Sequence, residues 1–360
     1  AFCAVRPPGH HAGPRGAVGG QSAGFCLLST AAIGAAHALH AMRDTVKRVA
    51  IVDFDVHHGN GTEACVRNVH PTEVREEWPC GAGMISLRST SFKPWLTEDD
   101  SDKVFFGSIH GFGAEVNEDG EAEGCFYPGS GPLTTDSDAK AFPAVRNSPM
   151  PLRTPSERWR RAMLERLLVP LAAFAPDLLI ISAGFDAHAH DPLEAGALHE
   201  HDFAWMTAEL VAIAETSCAG RVVSVLEGGY QVTGGPLSSL AAAVASHVRV
   251  LQDPALVGTT WSAADSAARL DASLAAERSW AEERARRREA AAAAAKAAAA
   301  TAESGSTDSA APAVADAALE VQESGAPVKR SKRQRVEVDY AAMAAKEDAE
   351  REAAGAAGAV

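Results

Sequence analysis

No stretch of the 360-residue chain reaches the ~20 consecutive apolar residues that a membrane helix needs, so the sequence predicts no spanning helix and no membrane partner. Cysteine is scarce: Cys3, Cys26, Cys65, Cys80, Cys125 and Cys218 are scattered, with no C-x-x-C pair among them. That spacing excludes a cysteine zinc cluster and a disulfide framework, and reads as free thiols in a reducing compartment. Positive charge is also short, with 33 Lys and Arg against 47 Asp and Glu and a net charge of −14. Phosphate binding needs a basic surface, so direct nucleic-acid binding is excluded as a general function. An acidic rim would instead attract a basic partner such as a lysine-rich tail. No signal peptide opens the chain. It begins Ala1-Phe2-Cys3-Ala4-Val5, without methionine and with strand character, which reads as a fragment or as a chain whose true start is lost.

Apolar residues make up 46% of the chain, enough for one large domain or two small ones. Residues 1 to about 255 alternate short apolar runs with helical patterns. Strands are expected at Val49–Val52, Val104–Phe106, Leu178–Ile181 and Val222–Leu226, and helices at Phe25–Leu39, Ser156–Phe174, His201–Ala214 and Leu237–Leu251. Unalternating strands separated by helices predict an α/β fold with a parallel sheet covered on both faces. Each run ends in polar residues: Asp53 and Asp55, Ser108 and His110, Asp186, then Glu227 to Tyr230. Open α/β sheets gather their chemistry at the carboxyl ends of strands, so one cleft at one sheet edge is expected. From about 256 to 360 the composition shifts to an Ala-rich tail, helical over 290–300 and disordered over 301–328. The basic cluster Lys329 to Arg335 suits a nuclear localisation signal, with the cytoplasm as the alternative.

Four clusters carry chemistry. In Arg6-Pro7-Pro8-Gly9-His10-His11-Ala12 a stiff turn holds two adjacent histidines, which could act as base and acid around one bond or be structural. In Asp53-Phe54-Asp55-Val56-His57-His58-Gly59-Asn60, alternation along an extended chain points Asp53, Asp55 and His57 the same way. Two acids and two histidines after an apolar strand are expensive to bury without a purpose. In Ser182-Ala183-Gly184-Phe185-Asp186-Ala187-His188-Ala189-His190, Asp186 could complete a three-ligand set with Asp55 and His57; three ligands and an open position mark a catalytic zinc site. Oxygen-rich ligation suits manganese or iron as well. His188 and His190 are not counted as ligands, because a catalytic ion keeps a vacant position. In Leu226-Glu227-Gly228-Gly229-Tyr230 the glycines allow a tight turn, and the tyrosine is either an oxyanion donor or a core residue.

Taken together and in order, RPPGHHA, GFC, DFDVHHGNGT, FYPGSG, SAGFDAHAHDPL and LEGGY resemble the motifs of the zinc-dependent histone deacetylase family, class II type, over residues 1 to about 252. The resemblance implies an arginase/deacetylase-like three-layer α/β sandwich with a central parallel sheet. Because the family's domain begins well before RPPGHHA, it also implies a catalytic domain (1–255) lacking its N-terminal part. It implies one Zn2+ on Asp55, His57 and Asp186, His11 as general base and acid, His10 as its electrostatic partner, Asp53 bonding His10, Asn60 bonding His11, and Tyr230 as oxyanion donor. Gly24, Phe25, Tyr127 and Gly229 would line the substrate tunnel. Asp53, Asp55, His57 and Ser108 would surround a structural K+, with Ser108-Ile109-His110 the relevant strand and Ile85-Ser86-Leu87 a decoy.

The implied substrates are acetyl-lysine proteins such as histone tails, with corepressor proteins as further partners. A deacetylase of small acetylated amines on the same scaffold is a second reading, and a catalytically dead binding module a third. An arginase-type ureohydrolase is disfavoured, since it needs a second metal and Asn60 does not suit it. The acidic segment Gly113 to Gly124 either recruits cationic substrates near the cleft mouth or is a solvated loop.

Overall fold

The unbroken apolar runs become the strands of the sheet. The computed structural model describes residues 1–16, 23–81, 83–116, 122–234, 236–253, 257 and 260–304. Its strands are β1 (Phe2–Cys3), β2 (Val49–Asp53), β3 (Thr72–Cys80), β4 (Gly83–Ser91), β5 (Val104–Gly111), β6 (Ala114–Val116), β7 (Ala122–Cys125), β8 (Val145–Met150), β9 (Leu178–Ala183) and β10 (Val222–Leu226). Six of them form one sheet in the order β1-β10-β9-β2-β5-β8, every neighbouring pair parallel. Parallel strands need crossovers, and helices lie within them: α1 (Thr30–Ala41), α2 (Asn60–Arg67), α3 (Asp136–Ala141), α4 (Ser156–Met163), α5 (Val169–Phe174) and α6 (Glu200–Cys218); α7 (Ser239–Gln252) and α8 (Ala263–Ser304) follow the last strand.

Strand alternation divides the core between the two faces. Val49 and Ile51 of β2 pack with Val104, Phe106, Leu178 and Ile180 under Ala31, Ala35 and Leu39 of α1. Ala50 and Val52 turn the other way, into a larger cluster with Phe54, Trp159, Leu167, Phe185, Phe203 and Leu210. The sheet is thus the middle layer, covered on both sides, as the strand pattern predicts.

Several elements differ from the sequence expectation, each for a local reason. The helix expected from Phe25 begins at Thr30, because Gly24 and Phe25 both take left-handed φ values (51° and 66°) in a tight turn closed by Ala23 and Cys26. The helix expected over Ser156–Phe174 is interrupted by a π-helical turn at Leu164–Leu168. Pro170 has no N–H to continue the α ladder there. β8 carries no apolar run and includes Pro149, which a sheet edge tolerates. β3 and β4 form a separate two-stranded antiparallel hairpin holding Ile85-Ser86-Leu87, whereas Ser108-Ile109-His110 lies on β5 beside β2.

The composition change near 256 is not where packing ends. Leu270 and Leu274 of α8 are buried in the larger cluster. Glu209 on α6 accepts from Trp261, Ser266 and Arg269, and buried Arg160 bridges Asp202 and Glu277. One compact unit therefore covers Ala1–Ala291. The basic cluster Lys329 to Arg335 and the stretch 305–328 lie outside the described residues.

Candidate active site

The carboxyl ends of β2, β9 and β10 meet the loop after β1 in one buried polar cluster. Asp55 and His57 follow β2, and Asp186 follows β9, its immediate neighbour in the sheet. One ligand atom from each of the three lies within 4.8 Å of the others, and all three residues are buried. His57 Nδ1 is 3.0 Å from Asp55 Oδ1 and 3.0 Å from Asp186 Oδ2. Backbone amides orient the carboxylates: His57 N–H and Gly228 N–H donate to Asp55, and Val56 N–H donates to Asp186 Oδ1.

The other oxygen, Asp186 Oδ2, is buried with no hydrogen-bond donor. One imidazole proton cannot serve both facing carboxylates, so the pair is electrostatically frustrated. Burial and Asp55 push Asp186 up to about 7. Burial works against His57, but Asp186 and Asp55 raise it to about 10. A buried carboxylate driven to gather a proton, as Asp186 is, is what a cation relieves. The donor set of two oxygens and one imidazole nitrogen therefore fits a divalent metal with a vacant position.

The two histidines of the Pro-Pro-Gly loop stand beside this set with rings 4.0 Å apart. His10 Nδ1 lies 3.0 Å from Asp53 Oδ2 and His10 Nε2 lies 3.9 Å from Asp55 Oδ2. Burial opposes its charge, yet Asp55, Asp53 and Glu227 outweigh that and hold it well above the usual histidine range. His11 goes the other way: burial, then the charge on His10, pulls it well below. His11 Nδ1 donates to Asn60 Oδ1 at 2.8 Å, which leaves the Nε2 lone pair free. Two adjacent imidazoles are thereby driven into different protonation states, one charged and one basic.

The walls come from three more segments. The Gly24-Phe25 turn brings Phe25 to 6.1 Å (centroid to centroid) from the Tyr230 ring. Gly24 must lack a side chain, since a Cβ there would stand 2.3 Å from His11 Cδ2. Tyr127 sets its ring edge-on to His11 at 5.0 Å and to His57 at 6.1 Å. Tyr230 follows buried Gly229, and its N–H donates to Asp191 Oδ2 at 2.8 Å. Burial, then the nearby Asp186 and Asp55, raises its phenol so that it keeps its proton.

Ser108 borders the cluster, and His188 and His190, not expected as ligands, lie outside the ligand set. Ser108 pairs in register with Asp53, and its hydroxyl meets His110 Nδ1 at 2.8 Å. His188 belongs to a separate group with His199 and Glu200, and His188 Nδ1 accepts from His190 N–H.

Others were not singled out from sequence. Phe126 stacks on His57 at 5.1 Å and 11°. Glu227, fully buried and raised by burial to about 7, accepts from Gly9 N–H, His10 N–H and the Ser182 hydroxyl, tying the histidine loop to β10. The available signal was an acid directly following an apolar strand.

The Histone deacetylase domain family model matches residues 1–251. The chain is 34% identical over 255 residues to "Type-2 histone deacetylase 2" of Dictyostelium discoideum, covering 70% of this chain and 12% of that protein. It is 33% identical over 251 residues to "Histone deacetylase 14, chloroplastic" of Arabidopsis thaliana, covering 69% and 46% respectively. A "Histone deacetylase-like amidohydrolase" of Pseudomonas aeruginosa is 32% identical over 243 residues, 67% of this chain and 50% of that one. The solved HDA15 HD domain aligns with a TM-score of 0.48 at 30% identity, over 69% of this chain and 55% of that one. The chain spans less than two thirds of the length of each of these proteins.

Proposed function

We propose, for a chain that belongs to the histone deacetylase family and is class II-like, zinc-dependent hydrolysis of the acetyl-amide of N6-acetyl-lysine in histones or other proteins. Relatives named as deacetylases and an amidohydrolase support a hydrolase acting on an amide. The observation that carries the finer reading is the geometry: three ligand atoms gather within 4.8 Å of one another, with His10 bonded to Asp53 and His11 to Asn60 beside them.

Zinc held by Asp55, His57 and Asp186 would supply Lewis acidity, polarising the acetyl carbonyl and lowering a water's pKa to roughly 7. The chain's own groups do the rest. His11 Nε2, its lone pair freed by the Nδ1 bond to Asn60, takes the proton of the attacking water and later gives it to the departing amine. His10, kept charged by Asp53 and Asp55, lowers the cost of negative charge growing nearby. The Tyr230 hydroxyl donates to the developing oxyanion. Phe25 and Tyr127 exclude water from the lysine methylenes. A structural K+ near Asp53, Asp55, His57 and Ser108 remains part of the proposal.

The supporting assay is turnover of a fluorogenic acetyl-lysine peptide, with zinc measured on the same sample. About one zinc per chain, with Asp186→Ala abolishing both metal and turnover, is the expected result. Metal bound but no turnover would favour an inactive binding module. Turnover of acetylated polyamines in preference to peptide would favour the small-amine reading. Chromatin association, transcription repression, corepressor contact and nuclear import through Lys329 to Arg335 are further parts of the proposal. A fluorescent fusion that stays out of the nucleus would remove the last of them.

A further inference from the structure

The tandem His57-His58 is half explained by the site, for only His57 faces the ligand set. His58 points to the other side and is buried. Its Nε2–H donates to Glu63 Oε2 at 2.7 Å. Burial alone would raise Glu63, but His58, Asn147 and Arg67 hold it down at about 2, so it is a carboxylate that only accepts. Asn147 Nδ2 donates to it at 2.7 Å and Arg67 Nε pairs with its other oxygen. His58 is thus fixed in place from behind. Its remaining nitrogen, Nδ1, meets the Ser130 hydroxyl at 2.8 Å.

Ser130 lies on the segment that carries Phe126 and Tyr127, the two aromatic rings packed against His57 and His11. A second histidine grips the same segment. His110 Nε2–H donates to the Gly131 carbonyl at 2.8 Å, and its Nδ1 accepts from Ser108. The His58 and His110 rings are 4.5 Å apart. Gly131, at φ +78°, rests on both: a Cβ there would stand 2.6 Å from His110 Nε2 and 2.7 Å from His58 Cδ2.

We propose that His58 is a positioning residue whose bond to Ser130, backed by Glu63, fixes the 126–131 segment and so holds Tyr127, one wall of the channel for the acetyl-lysine side chain, in place against His11. Substrate identity here rests on the deacetylase reading; the clamp itself does not. A segment that samples an open position lowers the fraction of molecules able to bind, and the apparent KM rises as the reciprocal of that fraction. The groups assigned to proton transfer sit on other elements, so kcat is spared.

The test compares the full chain with Ser130→Ala, Ser130→Thr and His58→Ala, by peptide kinetics, zinc content and amide exchange over residues 126–131. Ser130→Ala should speed exchange about 3–10-fold, the value of one net hydrogen bond, and raise KM by up to that factor, with kcat and zinc unchanged. Ser130→Thr, which keeps the hydroxyl, should restore both, and His58→Ala should show the same faster exchange. Unchanged KM and exchange in Ser130→Ala would overturn the proposal. So would loss of zinc and kcat in His58→Ala without faster exchange, since His58 would then serve His57 instead. If the parent chain turns over no peptide, the deacetylase reading fails, and exchange in Ser130→Ala still decides the clamp.

Discussion

Replacing Gly24 with alanine adds one carbon at the point where the chain passes closest to the proposed base. The added Cβ would stand 2.3 Å from His11 Cδ2 and 2.9 Å from Nε2, whereas ordinary contact begins at 3.4 Å. Something must move by about 1 Å. The turn cannot easily yield, because Cys26 Sγ holds the His11 amide and Ala23 and Cys26 close the turn with two backbone bonds. The ring is the softer partner, and displacing it weakens the 2.8 Å bond from Nδ1 to Asn60 that sets its tautomer. A 1 Å misplacement of a catalytic group costs roughly 10²-fold in rate. The backbone penalty is small by comparison, about 1 kcal/mol for alanine in the left-handed region. The expected phenotype is a loss of kcat near a hundredfold on acetyl-lysine peptide, with zinc content unchanged and only a modest loss in a urea melt. Turnover within twofold of the parent would refute the placement of His11 as base. Equal loss of zinc and turnover would show that the turn supports the ligand set instead.

Other predictions follow from separate parts of the fold. Tyr230→Phe should fold normally and lose ~10²–10³ in kcat, since one oxyanion donor is gone; near-parent turnover would reject the role. His247 is buried between Thr207 and Ser224, and burial lowers it from 6.5 to about 3. The unfolded chain therefore takes up this proton first as pH falls. Stability should drop between pH 6.5 and 3 by up to about 1.4 kcal/mol per pH unit, and a His247→Gln variant should flatten that limb of a urea-midpoint series. Leu270→Ala should cost about 2–5 kcal/mol in urea unfolding, although position 270 lies beyond the 251 residues matched to the family; a negligible cost would show that α8 does not support the domain.

The strands that were legible in the sequence are those buried on both faces, because double burial writes a continuous apolar run: Val49–Val52 and Leu178–Ile181 needed nothing else. β8 was not legible, since an edge strand carries no such run and its Pro149 argues against one. The β3–β4 hairpin was hidden for a related reason. Its apolar residues Trp78, Ile85 and Leu87 are diluted by charge and stay exposed. In the site, strand alternation predicts Asp53, Asp55 and His57 on one face, but β2 ends at Asp53, and Asp55 and His57 come together with Asp186 through the bends that follow β2 and β9. The sequence marks Glu227 as an acid after an apolar strand, but its role and that of Phe126 depend on approaches between segments far apart in the chain. Near 255 the composition registers the alanines of α8, while packing runs on beyond it through Leu270 and Leu274, one turn apart.

The sheet order has a consequence for how activity first arises in the cell. The segment bearing His10 leaves the ribosome long before the strand whose Glu227 anchors it, for 217 residues separate them. At 5–20 residues per second that is a wait of roughly 10–45 s. In that interval Asp53 and Asp55 face carboxyl repulsion with neither Asp186 nor the β10 turn to complete the cluster. A nascent chain that has made β2 but not β9 holds two of the three ligands and no Tyr230. The candidate site should therefore be incomplete in partial products of synthesis, and complete only when the last inner strand inserts. The order of strands thereby sets when the cluster is complete.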